Sequence, residues 1–424
     1  MPSVSLKDMD HRSRWLLAGT SLLVVALVVT AIIASTGRND LDIFLAAARD
    51  LLHGDNMYTK KYVDGFSYFY SPLFALMTSA LLPLDIRLAK LLWGFAIIIA
   101  SARCWIIIKR DLPEALTQTQ RKAILFFALL FLFQALRDNI NSSQVTPFVL
   151  WLSLEGLHRI RSRQWILGAF LIALGIDMKL IPLVLLPYLL YRREWRSAAL
   201  TVAFAVALQF IPAIVVGWQY ELDLLRTRWT MIDPSDVRHV LDEEEPSTIA
   251  LGSLLSAYLS SEGGNPYTLD LPRNIAALDV RTISMLLTIG RLLLASLALY
   301  FLRWPPFVAA RSRQQAWWEA SYLLLCTVLI FPHQRNYSML LATPAVVWIV
   351  CHMMMRFRRG EPNTRTWLAL CVIVYLLTNA WLLLGQFAPI YNHYKLMSFM
   401  VIALIAMLLK CRPERIISVP PSLQ

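Results

Sequence analysis

Long apolar runs separated by short polar segments make up most of the chain. The first run, residues 16–35, follows Lys7, Arg12 and Arg14, and no small-residue cleavage site precedes the next polar stretch. Loops that collect lysine and arginine stay in the cytoplasm. The pattern therefore predicts an uncleaved first membrane span whose N-terminus is cytoplasmic.

Six later basic clusters set the predicted orientation of the other apolar runs. Placing all of them in the cytoplasm predicts twelve spans with both termini inside. Several runs are too short for a perpendicular crossing of about 30 Å, which predicts broken or re-entrant helices beside a cavity. The run at 71–84 is predicted to be re-entrant or to lie on the surface. The twelve predicted spans are residues 16–35, 87–108, 122–137, 144–158, 164–177, 179–191, 197–216, 281–302, 316–331, 338–355, 366–384 and 394–410.

Composition excludes a soluble enzyme with a single membrane anchor. Of the 424 residues, 57% are apolar and 16% are charged, whereas about a quarter of the residues in soluble proteins are charged. The sequence predicts an all-α polytopic membrane protein. Its net charge of +12 reflects cytoplasmic loops rather than a nucleic-acid partner. The five cysteines form no CxxC pair, so neither a disulfide framework nor a zinc site is predicted.

Two segments are predicted to lie on the outer side of the membrane. The second of them contains eleven acidic residues and four arginines, which suits an exterior loop because long loops cross regardless of charge. The predicted organisation is a cytoplasmic N-terminus at 1–15, an N-terminal transmembrane module at 16–217 with an exterior loop at 36–70, an acidic exterior loop at 218–280, a C-terminal transmembrane module at 281–410 and a cytoplasmic tail at 411–424.

The first exterior loop is predicted to contain an amphipathic helix along the outer surface. Apolar residues recur at helical spacing from Leu41 to Leu52, and Gly54 ends the run. Asp40 stands at the start, where a carboxylate near a helix N-terminus stays ionised. It is interpreted either as a helix cap or as a general base. Asp42 is a candidate for the general base only if Asp40 is not the base.

Two cations stand at polar breaks between apolar helices. Arg137 and Lys179 occupy such breaks, where a charged side chain at membrane depth costs about 2.5–3.5 kcal/mol. Lys179 is interpreted as snorkelling, as paired with Asp177, or as binding an anion. In the third interpretation, a lipid phosphate supplies the countercharge for both cations.

Aromatic and histidine residues mark two further candidate segments. Residues 66–76, which include Tyr68 and Tyr70, are either interfacial anchors or surfaces that stack on a sugar ring or pack on a lipid tail. His333 stands beside Arg335 at a predicted outer helix end, where a proton carrier or a donor to phosphate could act. A structural role is the alternative for this histidine, and His393 is a comparable candidate with less around it.

Four of these segments resemble, in order and spacing, the motifs of glycosyltransferase family 87. This family consists of membrane enzymes of the GT-C class and includes a mycobacterial phosphatidylinositol-mannoside mannosyltransferase. A serine precedes Gln144 and a phenylalanine stands at position 44, where the family has glycine and tyrosine. The resemblance covers most of the chain and rests on Asp40 to Phe44 with Gly54 and Tyr58, on Tyr70 to Leu76, on Ser143 to Val145, and on Lys179 to Pro182.

The resemblance implies a GT-C-type bundle of about twelve transmembrane helices with a catalytic first exterior loop. It implies transfer of a sugar, most often mannose, from a polyprenyl-phosphate carrier to a hydroxyl of a glycolipid or glycan, with inversion. The active site would face the exterior of a bacterial inner (plasma) membrane. No cofactor or metal would be required, and the partners would be the carrier, the acceptor and membrane lipid.

The resemblance also implies roles for particular residues. Asp40 would be the base, with His333 or Asp42 as further catalytic candidates. Phosphate on the donor would be bound by Lys179, Arg137, Arg335 and Gln144, and Tyr58, Tyr68 and Tyr70 would line the substrate site. The exterior loop at 218–280 would help to shape the acceptor cleft and to set its specificity.

Two other functions remain open at this stage. A ligase or polymerase of lipid-linked glycans also uses arginines and a histidine at an outer lipid-phosphate site. A transporter or flippase is the second alternative, although its polar residues are expected near the midplane between repeated halves. The sequence shows no internal repeat, and its polar residues gather at the predicted outer mouth.

Overall fold

The chain is helical throughout the part that the structure describes. The computed structural model describes residues 11–233, 236–242, 245–261, 269–303, 305–310 and 312–413, and within them it has no strand beyond two isolated bridges. Parts of the predicted cytoplasmic ends, residues 1–10 and 414–424, lie outside the described residues. The same holds for three acids of the predicted exterior loop, Glu243, Glu244 and Glu262.

Nineteen α-helices are present in these ranges, with 3₁₀ turns at Val63–Gly65, Ile181–Val184, Asn336–Ala342 and Gly385–Phe387. The α-helices are α1 His11–Ala34, α2 Asp40–His53, α3 Pro72–Ser79, α4 Ile86–Asp111, α5 Gln118–Asn141, α6 Thr146–Arg161, α7 Trp165–Met178, α8 Leu185–Tyr191, α9 Trp195–Phe210, α10 Ala213–Val216, α11 Trp218–Met231, α12 Val237–Leu241, α13 Leu251–Leu259, α14 Val280–Leu302, α15 Arg313–Ile330, α16 Thr343–Arg359, α17 Thr364–Leu384, α18 Ala388–His393 and α19 Leu396–Lys410.

Every predicted span falls on a helix, but the helices differ in length. Among the described residues, six helical segments are long and apolar enough to cross a membrane. A bent pair, Thr364–Ala380 with Gly385–His393, would make a seventh. The twelve crossings therefore stay a prediction. The six segments are His11–Ala34, Ile86–Asp111, Gln118–Asn141, Trp195–Val216, Val280–Leu302 and Asn336–Arg359.

The sides of several long helices expose large apolar residues. On α1, Leu22 is 70% exposed and Ile33 is 64% exposed, and on α14 Leu293 is 66% exposed. Apolar surface of this extent is unfavourable in water, because burial of such surface stabilises a protein by about 25 cal/mol per Å². These faces are suited to contact with lipid.

Helix α15 forms the centre of the bundle. All its side chains from residue 315 to residue 329 are buried. Two indole N–H groups tie it to its neighbours, since Trp317 donates to the carbonyl of Pro344 (3.1 Å) and Trp318 to that of Leu408 (2.9 Å). Buried indoles need such acceptors, so these bonds fix the position of α15 against α16 and α19.

The basic clusters that set the predicted orientation meet at one end of the bundle. Arg161 at the end of α6 pairs with Asp111 at the end of α4, with 2.9 Å between Nη2 and Oδ2. Arg358, near the end of α16, donates to a carbonyl of the loop between α4 and α5. Lys90 and Gln144 lie at the opposite end, where α4 and α6 begin. That end contains a polar cavity lined by Asp40, Lys179 and Arg335.

Candidate functional site

A cavity of about 480 Å³ lies at the end of the bundle away from the basic clusters. Four stretches far apart in the sequence build its wall: the start of α2, the segment 66–70, the break after α7, and the segment 331–337. The segment predicted as the acidic exterior loop at 218–280, called the long loop below, forms the rest of the wall. Its lining residues are Arg228, Trp229, Ile232, His239, Glu245 and Thr248. The charged and histidine residues in its wall are Asp40, Lys179, Arg228, His239, Glu245, His333 and Arg335.

Asp40 enters the cavity from the first turn of α2. The helix is capped by other residues, because the Asn39 side chain accepts from the amide of Leu41 and Asp42 accepts from the amide of Asn39. This reciprocal arrangement is a capping box. Asp40 is therefore not the helix cap, which was one of its two predicted roles.

Asp42 has structural partners instead of a place in the cavity wall. Besides its bond to the amide of Asn39, its carboxylate accepts from Lys90 Nζ at 2.8 Å. Lys90 also donates to the carbonyl of Gly37. These bonds fasten the start of α2 to α4 and leave Asp40 as the only acid of this turn that lines the cavity within the described residues.

The Asp40 carboxylate is held from behind by Gln144. The Nε2 of Gln144 donates to Oδ2 of Asp40 at 2.5 Å. Burial raises the pKa of Asp40 above its usual range, and Glu245 acts in the same direction. The charges of Arg335 and Lys179 and the bond from Gln144 lower this pKa, but burial is the larger effect. A carboxyl with a raised pKa is a stronger base once it is ionised.

Lys179 and Arg335 supply positive charge from two sides of one tyrosine. Lys179 Nζ lies 5.5 Å from the centre of the Tyr337 ring, and Arg335 Cζ lies 6.0 Å from it. Among the described residues, no carboxylate lies within 4.0 Å of Lys179. Arg335 has partial compensation, with 3.5 Å to Glu245 and a 3.1 Å hydrogen bond to Ser247. The wall thus carries positive charge that the protein only partly offsets.

Asp177 does not pair with Lys179, which was one interpretation of the sequence. Its carboxylate accepts hydrogen bonds from Ser71 and Gln209, both at 2.6 Å. Lys179 stands two residues later, in the break between α7 and the 3₁₀ turn at Ile181–Val184. The break turns its side chain toward the cavity while Asp177 faces α3 and α9.

His333 belongs to a chain of hydrogen bonds within the wall. Its Nδ1 lies 2.9 Å from the carboxylate of Asp242, and its Nε2 lies 2.6 Å from Nδ1 of His239. The Nε2 of His239 in turn lies 2.9 Å from the carbonyl of Met231. Both His333 and Asp242 have left-handed backbones, with φ of 56° and 50°. Such strain in residues other than glycine is often kept at functional sites.

Two groups that can only accept stand at the ends of this chain, the carboxylate of Asp242 and the carbonyl of Met231. The rings of His333 and His239 lie between them.

Several predicted site residues lie outside the cavity wall. Arg137 donates to Gln134 at 3.4 Å and does not reach the cavity. The hydroxyl of Tyr58 donates to the carbonyl of Tyr70 (2.7 Å), and that of Tyr68 donates to the carbonyl of Ser71 (2.9 Å). Of the three predicted tyrosines, only Tyr70 lines the cavity. Tyr58 and Tyr68 support the segment that contains it.

Sequence reasoning missed the contribution of the long loop. Arg228, Trp229, His239 and Glu245 line the cavity, although only the loop as a whole was expected to shape the site. Arg228 stands on α11 and donates to Gln209, the residue that also binds Asp177. The concentration of arginines in an otherwise acidic loop was the one available signal.

A metal site is not evident in the described part of the chain. It contains no group of three or more histidine, cysteine, aspartate or glutamate residues arranged to hold a metal ion. The expectation that the reaction needs no metal remains an expectation.

The long apolar helices and the charged cavity at their ends define a membrane protein with a polar site at one end of a helical bundle. Residues 68–332 match the model of glycosyltransferase family 87. The match covers more than half of the 424 residues, and the chain belongs to this family of glycosyltransferases. The resemblance seen in the sequence is thereby confirmed. No curated protein sequence matches the chain.

The matched region covers only part of the site. Lys179 lies inside it, as does Gln144, a predicted phosphate-binding residue that is buried behind Asp40 and does not line the cavity. Asp40, His333 and Arg335 lie outside its limits. The arguments for the roles of those three residues therefore rest on their positions in the structure.

Proposed function

We propose that this glycosyltransferase moves a hexose, most often mannose by the family resemblance, from a polyprenyl-phosphate carrier to an acceptor hydroxyl with inversion. The observation that carries the proposal is the single cavity shared by Asp40, Lys179 and Arg335. A carboxylate base and two cations for phosphate are the groups that this reaction needs.

Asp40 acts as the general base. The acceptor oxygen attacks the anomeric carbon from the face opposite the phosphate, while the acceptor proton moves to the carboxylate of Asp40. The bond between the anomeric carbon and the phosphate oxygen breaks, and both of its electrons leave with the polyprenyl phosphate. A positioned base contributes about 10²–10⁴-fold to such a step.

Lys179 and Arg335 stabilise the leaving phosphate. Negative charge grows on the phosphate oxygens as the sugar departs, and fixed cations in a partly dry cavity lower the energy of that state. His333 contributes by positioning, because both of its ring nitrogens already have partners and it stands two residues before Arg335. In this proposal these protein cations, rather than a metal ion, offset the developing charge.

The apolar part of the wall suits the lipid and sugar portions of the substrates. Phe66 and Phe69 are 39% and 41% exposed, and Trp229 and Ile232 of the long loop line the same cavity. Aromatic faces of this kind stack on sugar rings or pack on isoprene units. We propose that residues 228–248 determine which glycolipid or glycan acceptor enters.

We also propose that the cavity faces the outer side of a bacterial inner membrane. The basic clusters at the opposite end of the bundle support this orientation, because such clusters stay in the cytoplasm.

Mass spectrometry of lipid extracts and cell-wall glycans tests the proposal. Three strains are compared: one with the wild-type protein, one with Asp40→Asn and one without the gene. Loss of a single hexose from one glycan in both the mutant and the null strain supports the proposal and identifies the acceptor. Accumulation of intact lipid-linked oligomers indicates a ligase instead. Unchanged glycans overturn the proposed transfer activity and leave transport as the remaining function.

A further inference from the structure

A second cavity, of about 330 Å³, lies at the end of the bundle opposite Asp40. It opens between the ends of α4, α6 and α8 and the start of α15. Its inner wall is apolar and includes Ile107, Leu154 and Trp317. Its rim is rich in arginine, and none of its residues contributes to the proposed transfer reaction.

The charges around this cavity do not balance. Four arginines line it (Arg161, Arg163, Arg192 and Arg313), against two acids, Asp111 and Glu194. Burial raises the pKa of Glu194, while the charge of Arg163 lowers it. With both acids ionised, the side chains that line the cavity carry a surplus of two positive charges.

Two of the arginines are neutralised by the protein itself. Arg192 is buried against Glu319, with 2.9 Å between Nε and Oε2, and donates to two backbone carbonyls as well. Arg161 pairs with Asp111 at 2.9 Å. A buried arginine needs such compensation to be stable. With Glu319 counted, one positive charge remains, and it belongs to Arg163 and Arg313 beside Glu194.

Arg163 and Arg313 have no carboxylate within 4.0 Å and no side-chain hydrogen bond among the described residues. Arg163 follows the end of α6 with φ of 65°, a left-handed conformation in which glycine is favoured and other residues are strained. Arg313 begins α15, where the positive end of the helix dipole disfavours a cation. Both side chains are exposed, and neither is held by a carboxylate or a hydrogen bond of the described protein.

An anion in this cavity would compensate the two guanidinium groups, each of which can bind two phosphate oxygens at once. It would also lie at the first turn of the 18-residue helix α15, where free amide groups favour negative charge. A phosphate group satisfies these requirements, and the apolar inner wall suits the glycerol and acyl part of a lipid.

We propose that this cavity binds a phosphate monoester or diester through Arg163 and Arg313, with the headgroup of an anionic phospholipid as its ligand. The position at the basic end of the bundle favours a lipid, because basic pockets between membrane helices on the cytoplasmic side bind anionic headgroups. The proposal is independent of the transfer reaction. Free inorganic phosphate is the competing source of the same chemistry.

Thermal unfolding of the full-length protein in detergent tests the site. The midpoint is measured with added phosphatidylglycerol, with phosphatidylcholine, and with inorganic phosphate. We expect phosphatidylglycerol alone to raise the midpoint by several degrees in the wild type. This shift should disappear in the double variant Arg163→Gln, Arg313→Gln. Its matched control is Arg193→Gln, Arg365→Gln, which removes the same charge from exposed residues outside the cavity.

The outcomes separate the possible ligands. A shift with phosphatidylglycerol that only the cavity variant loses supports the proposal. An equal shift with inorganic phosphate means that the site binds phosphate without a lipid, and overturns the lipid part. Equal shifts with both lipids, or a shift that the cavity variant retains, overturn the site. If the double variant does not fold, native mass spectrometry measures instead how much phosphatidylglycerol stays bound to the wild type and to the control variant.

Discussion

The side chain of Gln144 donates a hydrogen bond of 2.5 Å to Asp40, which stands 104 positions earlier in the chain. Gln144 is buried and begins the stretch that leads into α6, while Asp40 belongs to α2. The bond therefore joins two separate elements at the floor of the cavity. It leaves the other oxygen of the carboxylate available to a substrate, and it fixes the orientation that a general base needs.

Replacing Asp40 with asparagine should abolish transfer without unfolding the protein. The amide cannot take the acceptor proton, so we expect kcat to fall by about 10²–10⁴-fold. Burial raises the pKa of Asp40, which means that the folded state disfavours the ionised form. Stability is therefore lost as the pH rises from the usual range of aspartate through this raised pKa. Asp40→Asn removes that cost, and the unfolding midpoint at pH 7 should stay level or rise.

Asp55→Asn is the matched control for this change. Asp55 lies just beyond α2 and pairs with Lys60 on the surface, so its loss should leave transfer unchanged. Turnover by Asp40→Asn near the wild-type rate would remove Asp40 from the role of base. A large fall in its unfolding midpoint would contradict the argument from burial.

Replacing Gln144 with leucine should shift the pH dependence of transfer. The hydrogen bond from Gln144 lowers the pKa of Asp40, so its removal should raise that pKa further. The reaction needs the ionised carboxylate, and the acidic limb of the kcat/KM profile should therefore move to higher pH. At pH values well above the limb, the rate should recover most of its wild-type value.

Gln134→Leu serves as the comparison for Gln144→Leu. Gln134 stands on α5 and is buried, as Gln144 is. It also donates to a carboxylate, that of Asp138, at 2.8 Å. Neither Gln134 nor Asp138 lines the cavity. We expect its profile to keep the wild-type limb. If the acidic limb of the kcat/KM profile lies at the same pH in both variants, the hydrogen bond from Gln144 does not set the pKa of Asp40.

The two cations predicted from the sequence should behave differently. Lys179 lines the cavity and has no carboxylate within 4.0 Å among the described residues, whereas Arg137 does not reach the cavity. Lys179→Met should weaken the binding of farnesyl phosphate, a short polyprenyl phosphate, by about tenfold or more. Arg137→Met should change it by less than about twofold. Titration of the purified protein with this probe makes the comparison, and equal losses would contradict the assignment.

The sequence predicted the elements of the fold better than the directions of its side chains. Each apolar run became a helix, because the spacing and length of apolar residues determine helices directly. The pattern around Asp40 also contained a capping box, since Asn39 and Asp42 stand three residues apart. Sequence alone left open which acid of this turn faces the cavity, because that depends on Lys90 from α4.

The individual residues that the long loop contributes could not be predicted for a different reason. His239 lines the cavity and Asp242 lies behind the wall, and both contact His333, which stands about 90 positions later in the chain. Contacts over such separations depend on packing and not on any local pattern. Lys179 was found because a cation in an apolar segment is costly wherever it lies.

Asp242→Asn should disturb the donor side of the cavity without touching Asp40. The carboxylate of Asp242 is buried, accepts from the backbone amide of His333 and lies 2.9 Å from Nδ1 of the His333 ring. An amide is a weaker acceptor than a carboxylate, so the segment that contains His333 and Arg335 should loosen. Hydrogen bonds to charged groups contribute about 1.5–3 kcal/mol, which corresponds to a loss of farnesyl phosphate affinity of about tenfold or more. Asp236→Asn, a change to a carboxylate that pairs with Arg238 in the same loop, is the control and should keep the affinity. If Asp242→Asn keeps it as well while its unfolding midpoint falls, the network is structural and does not contribute to phosphate binding.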